Sequence, residues 1–315
     1  MMDGSTESTA APLGAPALAA LAELGVITAS GEDAARFLHG QLTQDVEHLG
    51  SDQLRLAGYC TPKGRLLATF RIWRDDGGIH LLLPREILPA VLKRLSMFVL
   101  RAKATLVDAS AAWQAQALFG AGAGAALRRA FGAVPARAGD CTVAGALRIA
   151  RLPASVRVAE RFLLLCPAAE APSLPAPLAG AACVEASVFW WSEIDAGLPT
   201  VFAATQEKFV PQMINFEVIG GVSFSKGCYP GQEVVARSQY RGKLKRRMQL
   251  AHCAAAAPAG ADVFAAGEAD SVGTVVMSAT APVGGVDVLF ECPLERTETP
   301  LALGVPGGPL LELRG

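Results

Sequence analysis

The sequence predicts an α+β protein: two related α+β halves followed by a small all-β C-terminal domain. Length carries the first part, since 315 residues are about two domains at ~100–200 residues each. An internal echo carries the second. Ile79-His80-Leu81-Leu82-Leu83-Pro84 leads into a helical pattern, and Arg161-Phe162-Leu163-Leu164-Leu165-Cys166-Pro167 does something similar 82 residues later. A change of texture after Gly242 carries the third, where Val272-Gly273-Thr274-Val275-Val276 and Val286-Asp287-Val288-Leu289-Phe290 form short β-branched runs punctuated by Gly and Pro.

Taken in order, the N-terminal residues 1–17 read as a flexible tail, with acids where a signal peptide needs cations and prolines where its apolar stretch should run. Ser30-Gly31-Glu32-Asp33 reads as a helix start with Ser30 as N-cap; Ala34, Phe37 and Leu38 supply the apolar face, and Gly40 stops the helix. From Gln53 to Trp73 a strand-like pattern is broken by Thr61-Pro62-Lys63-Gly64, which predicts a hairpin. Pro172 to Pro177 reads as a loop, and Val188 to Ile194 as a helix broken by Gly197-Leu198-Pro199. Val222 to Ser225 reads as a short strand entering a glycine-bearing turn, with Pro230 opening a helix that runs to about Gln239.

Composition excludes several classes. With 51% hydrophobic and 18% charged residues, against a usual ~25% charged, the chain is not disordered and needs no metal or disulfide to fold. Its net charge of −1, from 28 Lys+Arg and 29 Asp+Glu, argues against coating nucleic acid or anionic membrane over the whole surface. The uncharged stretch from Ala109 to Leu127 is interrupted by Gln114, Gln116 and three glycines, so no membrane span is expected. Seven scattered cysteines, never spaced C-x-x-C, point to a reduced, cytoplasmic setting with mostly buried thiols and no stably bound metal.

One segment concentrates chemistry. Cys228 lies before an expected helix N-terminus with Lys226 two residues away, and both positive influences favour a thiolate, which makes Cys228 a candidate nucleophile, metal ligand or redox group tuned by Lys226. Read blandly, the same cysteine is a small hydrophobe in a tight turn. Downstream, Arg237, Arg241, Lys243, Lys245, Arg246 and Arg247 place six cations in eleven residues. They suit a polyanion, either an RNA backbone or the glutamate tail of a cofactor, or a solvated helix end. Gly120-Ala121-Gly122-Ala123-Gly124-Ala125 satisfies G-x-G-x-x-A, but Asp140 follows a loop-like segment instead of ending a second strand, so a glycine-rich turn is the better reading.

Lys226-Gly227-Cys228-Tyr229-Pro230-Gly231-Gln232-Glu233 resembles the signature of the YgfZ-type folate-binding proteins, relatives of the glycine-cleavage T-protein, an aminomethyltransferase. The stretches Phe37 to Val46, Tyr59 to Arg65, Asp195 to Pro199 and Pro211 to Phe216 resemble further family segments in the right order. The resemblance implies two interleaved ferredoxin-like α+β domains over residues 18–242, with a boundary near 110, and a C-terminal antiparallel β-barrel over 243–315, around a folate-sized opening. It implies tetrahydrofolate as ligand, with Asp45, Asp195, Tyr229, Gln232, Glu233, Arg237 and Arg241 as expected contacts. It also implies a role in assembling or maintaining iron-sulfur clusters in client enzymes, tRNA-modifying ones included. Lys243, Lys245, Arg246 and Arg247 are then candidates for tRNA or polyglutamate contact. Where the transferase has paired aspartates in its first hairpin, this chain has Leu67-Ala68, which cannot polarise a reacting amine. Transferase activity is therefore expected to be lost, and a folate-dependent one-carbon transferase or demethylase using another acid, Asp45 or Asp195, is the alternative.

Overall fold

The structure is a computed structural model describing residues 14–170, 178–240 and 244–314. The expected loop from Pro172 to Pro177, and Arg241 and Lys243 of the basic cluster, lie outside the described residues.

The chain opens with β1 (Ala17–Ala20), β2 (Leu24–Ser30) and α1 (Ala34–His39), then β3 (Arg55–Cys60), β4 (Leu66–Asp75), β5 (Gly78–Pro84), α2 (Leu88–Ser96) and β6 (Thr105–Asp108). Strands β2 to β6 form an antiparallel sheet in the order β3-β4-β5-β2-β6. The second half contributes β7 (Trp113–Phe119), α3 (Ala123–Phe131), β8 (Cys141–Ala144), β9 (Leu147–Arg151), β10 (Arg161–Pro167) and β11 (Ala182–Val184). These strands take in β1, giving the order β11-β1-β7-β10-β9-β8. The first strand of the chain thus lies between two strands of the second half, which is how the two ferredoxin-like domains interleave. After α4 (Ala186–Asp195) and α5 (Gln232–Tyr240), six strands close into a barrel: β12 (Arg246–Cys253), β13 (Asp262–Ala265), β14 (Gly273–Thr280), β15 (Val286–Pro293), β16 (Leu301–Leu303) and β17 (Leu310–Arg314). Closure leaves no exposed sheet edge.

Pleat alternation explains the unbroken apolar runs. In β5, Leu81 and Leu83 face a core shared with Phe37 and Leu38 of α1 and Leu88, Val91 and Leu95 of α2, whereas Leu82 faces the opposite core. In β10, Phe162 and Leu164 pack with Leu127 of α3, and Leu163 and Leu165 join that opposite core with Phe189 and Trp191 of α4. A strand buried on both faces reads as continuous leucine, not as alternation.

The predicted hairpin is β3–β4, and Gly64 takes a positive φ of 72° in its turn. Helix α1 ends at Gly40 as expected, but Ser30 closes β2 and Asp33 occupies the N-cap position. Residues 222–225 form no strand, because loop 41–45 takes up their backbone groups: the Ser223 N–H donates to the Thr43 carbonyl at 2.9 Å. The following helix starts at Gln232 and not at Pro230, because Gly231 intervenes at φ 82°. A strand–glycine–helix unit does form at β7–Gly120–α3, but β7 is antiparallel to both neighbours, and the Glu160 carboxylate accepts the Gly124 N–H at 3.3 Å where a pyrophosphate would sit. The uncharged stretch from Ala109 to Leu127 is divided between that strand and helix, and among the described residues no helix is long and apolar enough to cross a membrane.

Candidate functional site

Three segments far apart in sequence converge on one another. Thr43 fixes the first contact: its hydroxyl donates to the Gly221 carbonyl at 2.6 Å and accepts the Gly58 N–H at 2.7 Å. Gln44 donates to the carbonyls of Gly220 at 2.7 Å and Leu56 at 3.2 Å. The hairpin turn makes the second contact. A Cβ on Gly231 would lie 2.4 Å from the Thr61 oxygen and 2.7 Å from Gly64 Cα, so the signature turn seats directly on the turn of the hairpin.

Lys226 makes the third contact. Its side chain is buried, its Nζ donates to the carbonyls of His39 and, at 2.7 Å, Leu42, and it lies 4.8 Å from the Tyr229 ring centre. Burial lowers its pKa to about 8, although the nearby charges of Asp45, Cys228 and Glu47 support the cation. Tyr229 is buried too, and burial raises its phenol well above the usual range. Burial tends to raise the Asp45 carboxyl, but hydrogen bonds from the backbone and ring of His48 and the charges of His48 and His39 hold it below the ordinary carboxylate value. His39 stands 3.2 Å from Asp45 and next to Gly227. Sequence spacing gave no sign of this histidine, because its partners come from two loops.

Cys228 is exposed on this pinned turn, four residues before the first residue of α5. Cys183 is also exposed; the other five cysteines are buried, and burial pushes the thiols of Cys141, Cys166 and Cys292 up to about 11 and that of Cys60 to about 12. Gln232 is half-buried, whereas Glu233 and Arg237 are exposed and paired with each other at 2.6 Å. Asp195 is buried at the end of α4 and accepts from the Arg157 backbone at 3.0 Å and its Nε at 2.6 Å. Of the basic cluster, Arg246 is held by Glu291 and Arg247 by Glu217, while Lys245 is exposed.

A cavity of about 230 Å³ opens beside this site. Leu54, Leu56, Leu152, Leu198 and Ile219 form its apolar walls, and a narrow apolar recess past Leu56 and Leu198 continues it toward Phe70, Leu82 and Trp190. Arg55, Arg71 and Arg151 also line it, and no carboxylate does; the Arg55 guanidinium is turned to the carbonyls of Asp45 and His48, and that of Arg151 to the Phe162 ring and the Pro135 carbonyl on the α3 side. Arg71 and Arg161 both bind the buried Glu193. Leu67 and Ala68 are buried in the core against α1 and α2.

The tRNA-modifying protein YgfZ of Escherichia coli O45:K1 is 33% identical to this chain over 237 residues, covering 74% of the chain and 71% of that protein. The chain belongs to the YgfZ family. The YgfZ of Shigella boydii serotype 4 is 34% identical over the same coverage. The glycine cleavage system aminomethyltransferase T from Bartonella henselae has the same fold, with a TM-score of 0.78 at 17% identity over 96% of this chain and 86% of that one. No family model matches the chain. The fold shared with that transferase accounts for the interleaved halves and the terminal barrel together.

Proposed function

We propose that this YgfZ-family chain is a folate-binding accessory protein that supports assembly or maintenance of iron-sulfur clusters in client enzymes, tRNA-modifying ones among them, with Cys228 as its functional thiol. The observation that carries the thiol is its presentation. Cys228 is exposed on a turn clamped by Thr43, Gln44 and the Gly231–Gly64 approach, beside a buried lysine whose charge it supports. A partner-facing thiol needs this combination of access, fixed position and adjacent positive charge. Lys226 is the positioning residue, since it ties the turn to the His39 and Leu42 carbonyls.

The opening supports the folate reading by its chemistry. Tetrahydrofolate is flat and largely apolar at one end and anionic at the other, and the cavity has apolar walls with the Arg71 guanidinium beside them. Leu54, Leu56, Leu198 and Ile219 would hold the ring system, and Arg71 the glutamate. When bound, the reduced pterin supplies one-carbon or redox chemistry; the residues here bind and orient it. Transferase or demethylase activity has less support, because Asp195 is taken up by Arg157 and Asp45 by His48. RNA affinity through the exposed Lys245 belongs to the same proposal as a client contact.

The test is complementation. Cys228→Ala is expected to fail in restoring iron-sulfur enzyme activity to a cell depleted of this protein, with a melting temperature close to that of the wild type. Full rescue by the variant, or turnover of a methylated amine with tetrahydrofolate, overturns the reading.

A further inference from the structure

The basic residues that the sequence singles out downstream of α5 are largely taken up: Arg246 and Arg247 have carboxylate partners. A different pair is free, on the far side of the first sheet. Helix α1 covers the face of that sheet opposite to the one that lines the opening, since Phe37 and Leu38 pack with Leu81 and Leu83, whereas Leu82 lies beside Arg71 in the recess that continues the opening. Beside α1, a separate recess of about 400 Å³ lies between the stripe Asp33, Arg36, Phe37 and Gly40, at helical spacing, and Arg101 and Ala102 of the connection after α2. We propose that this recess docks an extended segment of a partner protein in which carboxylates flank an apolar side chain. The site does not depend on the folate or thiol readings above.

Three unmet groups define its chemistry. Arg36 and Arg101 are exposed, with no carboxylate partner among the described residues. The nearby acids are already engaged: Asp33 accepts the Lys103 backbone N–H at 2.8 Å, and Glu32 pairs with the Lys103 ammonium at 2.8 Å. Gln41 also lines the recess, and its side-chain oxygen is buried without the donor that a buried carbonyl requires. An apolar patch adjoins these groups. In the connection that leads into Arg101, Met97, Phe98 and Leu100 are 57%, 46% and 84% exposed, while Val99 among them packs against the core. Single exposed apolar residues are ordinary, but three within four positions beside free cations mark a contact surface.

Charge and shape together select the occupant. Carboxylates suit the two guanidinium forks, an aliphatic or aromatic side chain covers Leu100 and Phe98, and a backbone N–H of an extended chain supplies the donor that Gln41 lacks. A nucleic-acid backbone satisfies the arginines only, because a phosphodiester has neither a donor nor an apolar surface. An anionic bilayer covers the apolar tips but is too flat to reach the buried Gln41 oxygen. A surface of this size suits a transient contact.

The experiment selects a phage-displayed library of random dodecapeptides on the full chain. The enriched peptides are then titrated by fluorescence anisotropy into the wild type, the double variant Arg36→Gln, Arg101→Gln, and Leu100→Ser. All three positions are exposed, and melting temperatures check that the variants fold; should the double variant melt early, Leu100→Ser decides alone. Enriched peptides are expected to carry acids on both sides of an apolar residue and to bind the wild type at micromolar concentration, more weakly with added salt. Binding is expected to fall about tenfold in the double variant and about threefold in Leu100→Ser. A selection that enriches nothing, enriched peptides without acids, or binding that survives in the variants overturns the proposal. A tRNA transcript, or vesicles of phosphatidylcholine and phosphatidylglycerol, binding the wild type and not the variants, while the peptides bind all three proteins alike, reassigns the face to RNA or to a membrane and also overturns it.

Discussion

Gly231 is where two distant turns touch, and its role rests on two independent constraints. Its φ of 82° suits glycine, and a Cβ there would collide with backbone atoms of Thr61 and Gly64, which cannot swing aside as a side-chain tip can. Gly231→Ala is therefore expected to cost more than about 2 kcal/mol in urea denaturation and to change the alkylation rate of Cys228, whose turn it seats. An unchanged midpoint and rate would show that the two turns are not coupled. Lys226 makes a pH-dependent contribution. Its folded pKa of about 8 lies below the 10.5 of an exposed lysine, so between these values the unfolded chain binds the extra proton. The burial cost is fully present below pH 8 and relieved as pH rises toward 10.5. Stability measured at pH 7.5 and 9.5 is expected to include a rise in the wild type that Lys226→Met lacks. The sequence made Lys226 and Cys228 visible because they are neighbours in one octapeptide; it hid the approach of His39 to Gly227 and of Thr43 to Gly221, each across almost two hundred residues.

Strand β15 shows how an element ties the barrel to the rest of the molecule. Asp287, fully buried on it, accepts from Arg157, Trp191 of α4, His252 of β12 and Arg314 of β17, each at 2.8 Å. Burial tends to raise its pKa, but the hydrogen bonds from His252, Arg157 and Trp191 and the charge of Arg314 outweigh it and hold the carboxyl below its ordinary 3.8. A depressed folded pKa contributes stability that is present above about pH 4 and lost as pH falls through the folded value. Asp287→Ala, which strands two arginines, is expected to cost about 3–5 kcal/mol. Acid melts between pH 5 and 3 are expected to fall more steeply for the wild type than for Asp287→Asn; parallel curves would refute the assignment. Elements of this kind are legible when their pattern is local. The β3–β4 hairpin, α1, α4 and the β-branched runs of the barrel all follow from turn residues and periodicity. Residues 222–225 misled because their alternation matches a strand while their backbone partners lie in loop 41–45. No local signal in Asp287 itself announces four donors from three other elements and a loop.

At the scale of the molecule, two sheets and the segments after α4 meet around one opening, and its wall draws on both halves: Leu56 and Arg71 from the first sheet, Arg151 and Leu152 from and just beyond β9, Leu198 and Ile219 from the segments after α4. The family resemblance implied such an opening; the place of Arg71 in its wall could not be read from the sequence, because Arg71 is an isolated cation within an apolar strand. Insertion of β1 into the second sheet followed only from the family resemblance, which implied interleaved domains, since pairing at a separation of about a hundred residues has no local pattern. A ligand that bridges these walls stabilises the halves against separation, and by mass action it adds RT ln(1 + [L]/Kd). At a hundredfold excess over Kd tetrahydrofolate should contribute about 2.7 kcal/mol, and for a chain of this length that raises the melting temperature by about 4 °C. NADH, the control for the glycine-rich turn at Gly120, should leave it unchanged. Binding seen by calorimetry without this shift would place the ligand outside the opening, on a surface that persists when the halves come apart.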